Sequence, residues 1–175
     1  MTPTGRVSVV GETTGDYPTT PSAAQPSYAG GQTDALVSTL DLIPHGVRAL
    51  GRSTHSCRGP IVLNAIGMPR QADASFGLYA SGGPPGASGW LVISSGVLAQ
   101  AQNHAGVALW LDPLRRLKRV PGTLTADGYL EITVPDLVAG PVGTRRDVQF
   151  VAENTAACGG LGTRSASNAL EITVQ

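Results

Sequence analysis

Ser165-Ala-Ser-Asn-Ala-Leu-Glu-Ile-Thr-Val-Gln175 closes the chain, and over Ala169 to Val174 large apolar residues at 170, 172 and 174 alternate with small or polar ones. A period of two places Leu170, Ile172 and Val174 on one face and Glu171 and Thr173 on the other, the pattern of a half-buried β-strand. A chain closing this way is expected to close inside a sheet. Short runs of the same texture recur upstream: Ile61 to Ile66, Phe76 to Tyr79, Trp90 to Ile93, Val107 to Leu111, Tyr129 to Val134 and Val148 to Val151. Gly, Pro, Asp or Asn bounds each of them. Short strands at near-regular spacing with punctuated turns predict an all-β fold, an Ig-like or jelly-roll-type antiparallel β-sandwich.

Composition fits one domain with an appendage. The 175 residues include 23 glycines and 13 prolines, only 14% are charged, and 12 basic residues balance 12 acidic ones. Charge-rich long helices are not expected, and no electrostatic footprint for nucleic acid or an anionic membrane is present. The basic cluster Arg115-Arg-Leu-Lys-Arg119 falls between two strand candidates and reads as a solvated turn. No run reaches the ~18 apolar residues of a membrane span. The first 30 residues lack the charged start and apolar stretch of a signal peptide.

Residues 1–46 differ in texture from 47–175. Val7 to Val10 and Ala35 to Ile43 read as strands, and between them lies a tract rich in Thr, Pro, Ser and Gly. Two strands joined by so long a loop make no stable unit alone, because isolated two-stranded sheets are marginal. Residues 1–46 are therefore expected to form a β-arm that leans on something else, with Val7, Val9, Val10, Leu36, Val37, Leu40 and Leu42 as its apolar contacts. The sandwich is expected over 47–175.

The arm carries a resemblance. Val9-Val-Gly-Glu-Thr-Thr14, Tyr17-Pro-Thr-Thr-Pro21, Gln25-Pro-Ser-Tyr-Ala-Gly-Gly31 and Asp34-Ala-Leu-Val-Ser-Thr-Leu40 resemble the second half of the bacterial β-propeller repeat known as the SBBP repeat, over about 35 residues. Residues 47–175 are similar to the carboxy-terminal β-sandwich module that follows such repeats in large secreted bacterial proteins. The similarity rests on Leu50-Gly-Arg-Ser53 before Cys57-Arg-Gly-Pro60, on Pro69 to Phe76, on Asp112-Pro113, on Cys158-Gly-Gly160 and on the closing strand. A propeller needs typically four to eight four-stranded blades. One half-blade cannot supply that, so its strands have no propeller of their own and are candidates for pairing with another chain.

Cys57 and Cys158 lie outside any C-x-x-C spacing, which argues against a redox motif or zinc knuckle. Both sit in turn-like settings rather than apolar runs. A disulfide between them, closing a loop of about 100 residues, is favoured over two free thiols and points to an oxidising compartment. No Asn-x-Ser/Thr acceptor occurs. Thr13, Thr14, Thr19, Thr20, Ser22 and Ser27 lie in the Ser/Thr/Pro-rich tract and are candidate acceptors of O-linked sugars, against the plainer reading of a proline-stiffened loop.

Catalytic chemistry finds little support. His45, His55 and His104 are the only histidines and none accompanies a G-x-S-x-G elbow; His104 reads as the cap of the turn Gln102 to Gly106. Glu131 and Glu171 occupy the same place in similar strands and read as solvent-facing rather than as a glycosidase pair. No calcium-loop pattern is present. Asp127-Gly128 reads as a hairpin turn, and Trp90 and Trp110, inside apolar strands, read as core. Neither a catalytic residue, a metal site nor a cofactor is expected. The leading expectation is a non-catalytic extracellular or cell-surface structural protein, a fibre or array subunit that self-associates by strand addition of its arm. An accessory or anchoring module of a large secreted protein, or a carbohydrate-binding sandwich, are the alternatives.

Overall fold

The closing segment forms the strand Arg164–Thr173, with neighbours on both sides: Arg145–Glu153 pairs with one edge and Val47–Leu50 with the other. The structure, a computed structural model, describes residues 6–17, 25, 27–41, 43–104, 106–154 and 163–175. In chain order its strands are β1 (Arg6–Thr13), β2 (Asp34–Asp41), β3 (Val47–Leu50), β4 (His55–Ser56), β5 (Gly59–Pro60), β6 (Val62–Ile66) and β7 (Gly77–Ser81). They continue with β8 (Ser88–Ser94), β9 (Val97–His104), β10 (Val107–Leu111), β11 (Arg116–Thr123), β12 (Leu130–Thr133), β13 (Arg145–Glu153) and β14 (Arg164–Thr173). Two single-turn 3-10 helices, Pro113–Arg115 and Pro135–Leu137, complete the described elements.

The chain divides into two compact units, Met1–Leu42 and Ile43–Gln175. Residues 44–46 belong with the second: Pro44 accepts from the Val47 amide, and Gly46 accepts from Thr173 at 2.7 Å. The second unit is an antiparallel β-sandwich. One sheet runs β11-β8-β13-β14-β3, the other β12-β7-β6. Inward residues of the two meet in one core that includes Leu63, Leu78, Leu91, Phe150, Leu170 and Ile172. Each such side chain, fully buried, contributes roughly 1.5–3 kcal/mol from removal of apolar surface from water.

The winding is Ig-like, with β6, β7 and β12 in one sheet and β11, β8, β13 and β14 in the other, so that β6 pairs with β7 and β13 with β14 inside a sheet. From Gly77 to Thr133 the chain is one long hairpin whose base, β7 with β12, lies in the smaller sheet and whose middle, β8 with β11, lies in the larger. Hydrogen bonding continues through the corner, Gly83 N to Gly128 O (3.1 Å), Gly86 N to Thr125 O (3.0 Å) and Leu124 N to Ala87 O (2.9 Å). Asp127-Gly128 closes a tight hairpin turn as expected, Gly128 N to Thr125 O (2.9 Å) and Thr125 N to Tyr129 O (2.7 Å), but the strands it joins, β11 and β12, lie in different sheets. Gly128 is required there, with φ +72° and a Cβ position only 2.2 Å from the Gly83 carbonyl oxygen.

The tip of the long hairpin, β9 with β10, forms a separate two-stranded ladder. It covers the outer face of the five-stranded sheet: Val107 packs with Val151 and Ala166, with Val92 and Leu109 beside them. This third layer explains two departures from the expected strand set. β9 is exposed along most of its length, and its two large apolar residues, Val97 and Leu98, are adjacent instead of alternate, so its sequence lacks a face of large apolar residues. The basic cluster, expected as a turn, instead leads into β11, an edge strand whose charges and Pro121 suit an unpaired edge.

β14 begins five residues before the run that its alternation marks. The register slips between Gln149 and Val151 on β13, which face Ala169 and Ala166. The bulge turns Asn168 toward β6, where its carbonyl oxygen accepts from Leu63 N (2.9 Å) and its amide donates to Leu63 O (3.1 Å).

Candidate functional site

In the first unit, β1 and β2 pair antiparallel in eight facing pairs, from Arg6 with Asp41 to Thr13 with Asp34. The two strands expected to add to a neighbour are thus each other's partners, and among the described residues neither has a second neighbour. Val7 faces Leu40, Val9 faces Ser38, Gly11 faces Leu36 and Val10 faces Val37. Val10 and Val37 are 75% and 71% exposed, and Val9 44%. Leu42 lies outside the described residues. Two carboxylates hold the loop: Asp16 accepts from Tyr28 N at 3.3 Å, and Asp34 accepts from Ala29 N at 2.6 Å and from Gln25 Nε2 at 3.0 Å.

Of the candidate glycan acceptors, Thr14 and Ser27 are exposed, whereas Thr13 is half-buried and donates its hydroxyl to Gly15 O at 2.7 Å. Thr19, Thr20 and Ser22 lie outside the described residues. Cys57 occupies the exposed turn between β4 and β5 and is not a free thiol. Its expected partner Cys158 also lies outside the described residues.

The outer face of the five-stranded sheet holds what alternation alone misassigns. Ser94, Asp147 and Gln149 all point away from the core, yet none has solvent exposure. Gln149 spends its whole amide on neighbouring backbone, donating to Ala108 O (2.9 Å) and Ser167 O (2.8 Å) and accepting from Trp110 N (3.0 Å). It fastens β10 to the sheet. Ser94 Oγ meets the carbonyls of Gly96, Asp112 and Arg115.

Asp147 faces Glu171 across the ladder, and Glu171 faces Arg48. Arg145 bridges the two carboxylates, with Nη2 2.5 Å from Glu171 and Nε 3.4 Å from Asp147, and Arg48 reaches Glu171 at 2.7 Å. Glu171 is therefore covered by two guanidinium groups instead of facing solvent freely, as its alternation predicts; Glu131 is exposed. Asp147 Oδ2 has no hydrogen-bond partner among the described residues. Burial pushes its carboxyl above the usual range, against the pull of Arg145.

Both tryptophans leave the expected core. Trp110 is half-buried against Gly51, whose Cβ position would lie 2.0 Å from the indole, and donates Nε1–H to Arg52 O at 2.9 Å. Trp90 lies on the outer face of β8, in a cleft of about 300 Å³ between the β9–β10 hairpin and the sheet. Val92, Val107, Leu109, Leu111 and Val151 supply its apolar walls, and Gln102, His104, Arg119 and Arg164 its polar ones. The signal lies in the sequence: with Leu91 and Ile93 inward, Trp90 and Val92 put two large apolar groups on the opposite face.

On the other side of the sandwich, Tyr79 and Tyr129 stack with centroids 6.1 Å apart and planes 26° from parallel. Tyr129 donates to Glu131 at 3.1 Å, and Asn64 faces Tyr79. His104 does not cap its turn; Asn103 does, accepting from Gly106 N at 3.1 Å. Among the described residues, no histidine side chain is hydrogen-bonded to a serine or carboxylate, and no group of three or more His, Cys, Asp or Glu could hold a metal ion. Comparison of the chain with protein-family models, curated proteins and solved structures finds no match.

Proposed function

We propose that this chain is a non-catalytic extracellular structural protein, the subunit of a fibre or surface assembly, joined by edge addition of its β1–β2 hairpin to a sheet of a neighbouring copy. The carrying observation is the hairpin: eight facing pairs, two edges unpaired among the described residues, and valines at 10 and 37 more than two-thirds exposed. A two-stranded sheet is marginal by itself, and extension by a third strand supplies both main-chain hydrogen bonds and cover for the exposed valines. Repetition of a non-closing contact of this kind yields a filament. The pairing of Cys57 with Cys158 and residence in an oxidising compartment belong to the same proposal, as do glycans on exposed residues such as Thr14 and Ser27.

Negative-stain microscopy and light scattering of the full chain, beside V10K and V37K, test it. Regular fibres lost in both variants are the expected result. A monodisperse 17.9 kDa particle would instead favour an accessory module of a larger secreted protein. Fibres unaffected by either lysine would remove the hairpin from the joint. A carbohydrate-binding role is the second reading, favoured by the stacked Tyr79–Tyr129 pair beside Asn64 and Glu131.

A further inference from the structure

The cleft under the β9–β10 hairpin has a volume and a mixed lining that a small ligand site shares. Small-molecule pockets occupy roughly 300–1,000 Å³ and combine apolar walls with a few polar groups that fix orientation. Here about 300 Å³ is walled by Trp90, Val92, Val107, Leu109, Leu111 and Val151. The polar groups sort themselves by what remains unspent. Gln149 has both amide atoms engaged with backbone. Asp112, the one carboxylate on the lining, accepts from Leu114 N at 2.9 Å and lies 3.6 Å from Arg115. Arg119, Arg164, Gln102 and His104 are not hydrogen-bonded or ion-paired through their side chains among the described residues. Two of these four are permanent cations. The acidic charge that touches the cleft is already paired, whereas its basic charge is not.

The placement of the arginines follows from the sheet. Arg119 faces Val92 across the β11–β8 ladder, on the outer side that also carries Trp90. Arg164 opens β14 opposite Glu153, next to the strand that brings Val151 against Trp90. An apolar floor is thus flanked by guanidinium groups from two different strands. Guanidinium binds carboxylate through parallel hydrogen bonds and is weakly hydrated, which suits it to an anion at the mouth of an apolar site.

We propose that this cleft binds a small organic carboxylate: its apolar body, acyl or aryl, seated against Trp90 and the aliphatic walls, and its carboxylate held by Arg119 and Arg164. Its lining residues all belong to the second unit.

Calorimetric titration of the full, non-reduced chain tests this with octanoate and 2-naphthoate, each beside its neutral alcohol, and with octylamine. One-site saturable binding of at least one carboxylate is expected, about tenfold or more tighter than its alcohol, the margin a charge-assisted contact provides. The carboxylate that binds identifies the body as acyl or aryl. R119Q and R164Q, with wild-type circular dichroism, each weaken that binding severalfold, while R70Q, in the β6–β7 connection, leaves it unchanged. Equal binding of acid and alcohol, tighter binding of octylamine, no saturable heat with either acid, or unchanged affinity in both arginine variants would each overturn the proposal.

Discussion

Replacing Gln149 with leucine keeps nearly the same volume and removes every polar contact that fastens β10 to the sheet. Three hydrogen bonds disappear, to Ala108 O, to Ser167 O and from Trp110 N. The net contribution of each is about 1 kcal/mol. The Ser167 carbonyl, bonded in a buried setting, loses a partner that water cannot readily replace, at a further cost of roughly 1–2 kcal/mol. Leucine brings some compensation by burying apolar surface where the amide was. The expected loss is about 3–4 kcal/mol, which for a β-unit of this size lowers Tm by roughly 10 °C. Urea and thermal unfolding by circular dichroism measure it. Hydrogen exchange adds a local readout: the amides of Ala108 and Trp110 should lose protection more than those of Leu91 or Phe150, because the hairpin detaches before the core opens. A loss under 1 kcal/mol with Trp110 protection intact would refute the assignment of Gln149 as the fastener and leave the apolar contacts of Val107 as the cause of the third layer.

Gly128 admits no side chain, since positive φ and the Gly83 carbonyl both oppose it; G128A should cost about 2–4 kcal/mol in urea unfolding. Asp147 makes stability depend on pH in a definite direction. Its folded-state carboxyl is raised, chiefly by burial, so its favourable contribution is complete below the unfolded carboxylate range and is lost as pH rises through the folded value. The stability of D147N relative to wild type should therefore climb with pH across that window and level off above it, and a flat difference would refute the shift. Asp73, depressed by its Ser75 hydrogen bonds, has the opposite sign, which is why the difference and not the raw curve is read. C57S should lower stability by roughly 4–5 kcal/mol if the closed loop spans about 100 residues, and mass spectrometry under non-reducing conditions should give the wild type two mass units below its reduced form.

Most of the strands are legible before folding because a strand's period is local. Leu170, Ile172 and Val174, or Leu130 and Ile132, advertise a buried face through alternation alone, and both lie where that pattern puts them. β9 and β11 escape such a reading for different reasons, one lacking a face of large apolar residues and the other being an edge that carries charge and proline. The candidate cleft was only half legible. Trp90 and Val92 opposite Leu91 and Ile93 mark a covered outer face, but neither identifies its cover.

Alternation therefore decided the all-β class, the sandwich and the inward residues of its two sheets, because those depend on neighbours two positions apart. Tertiary structure alone decided the fate of the outward residues. A serine, an aspartate and a glutamine at 94, 147 and 149 look solvent-facing by their spacing, and become buried under separate covers: Gln149 beneath β10, Ser94 against the carbonyls of Gly96, Asp112 and Arg115, and Asp147 beside Arg145. The same fold leaves Arg119 and Arg164 beside an apolar cleft. Burial of that kind depends on segments dozens of residues apart coming together, and no local period records it.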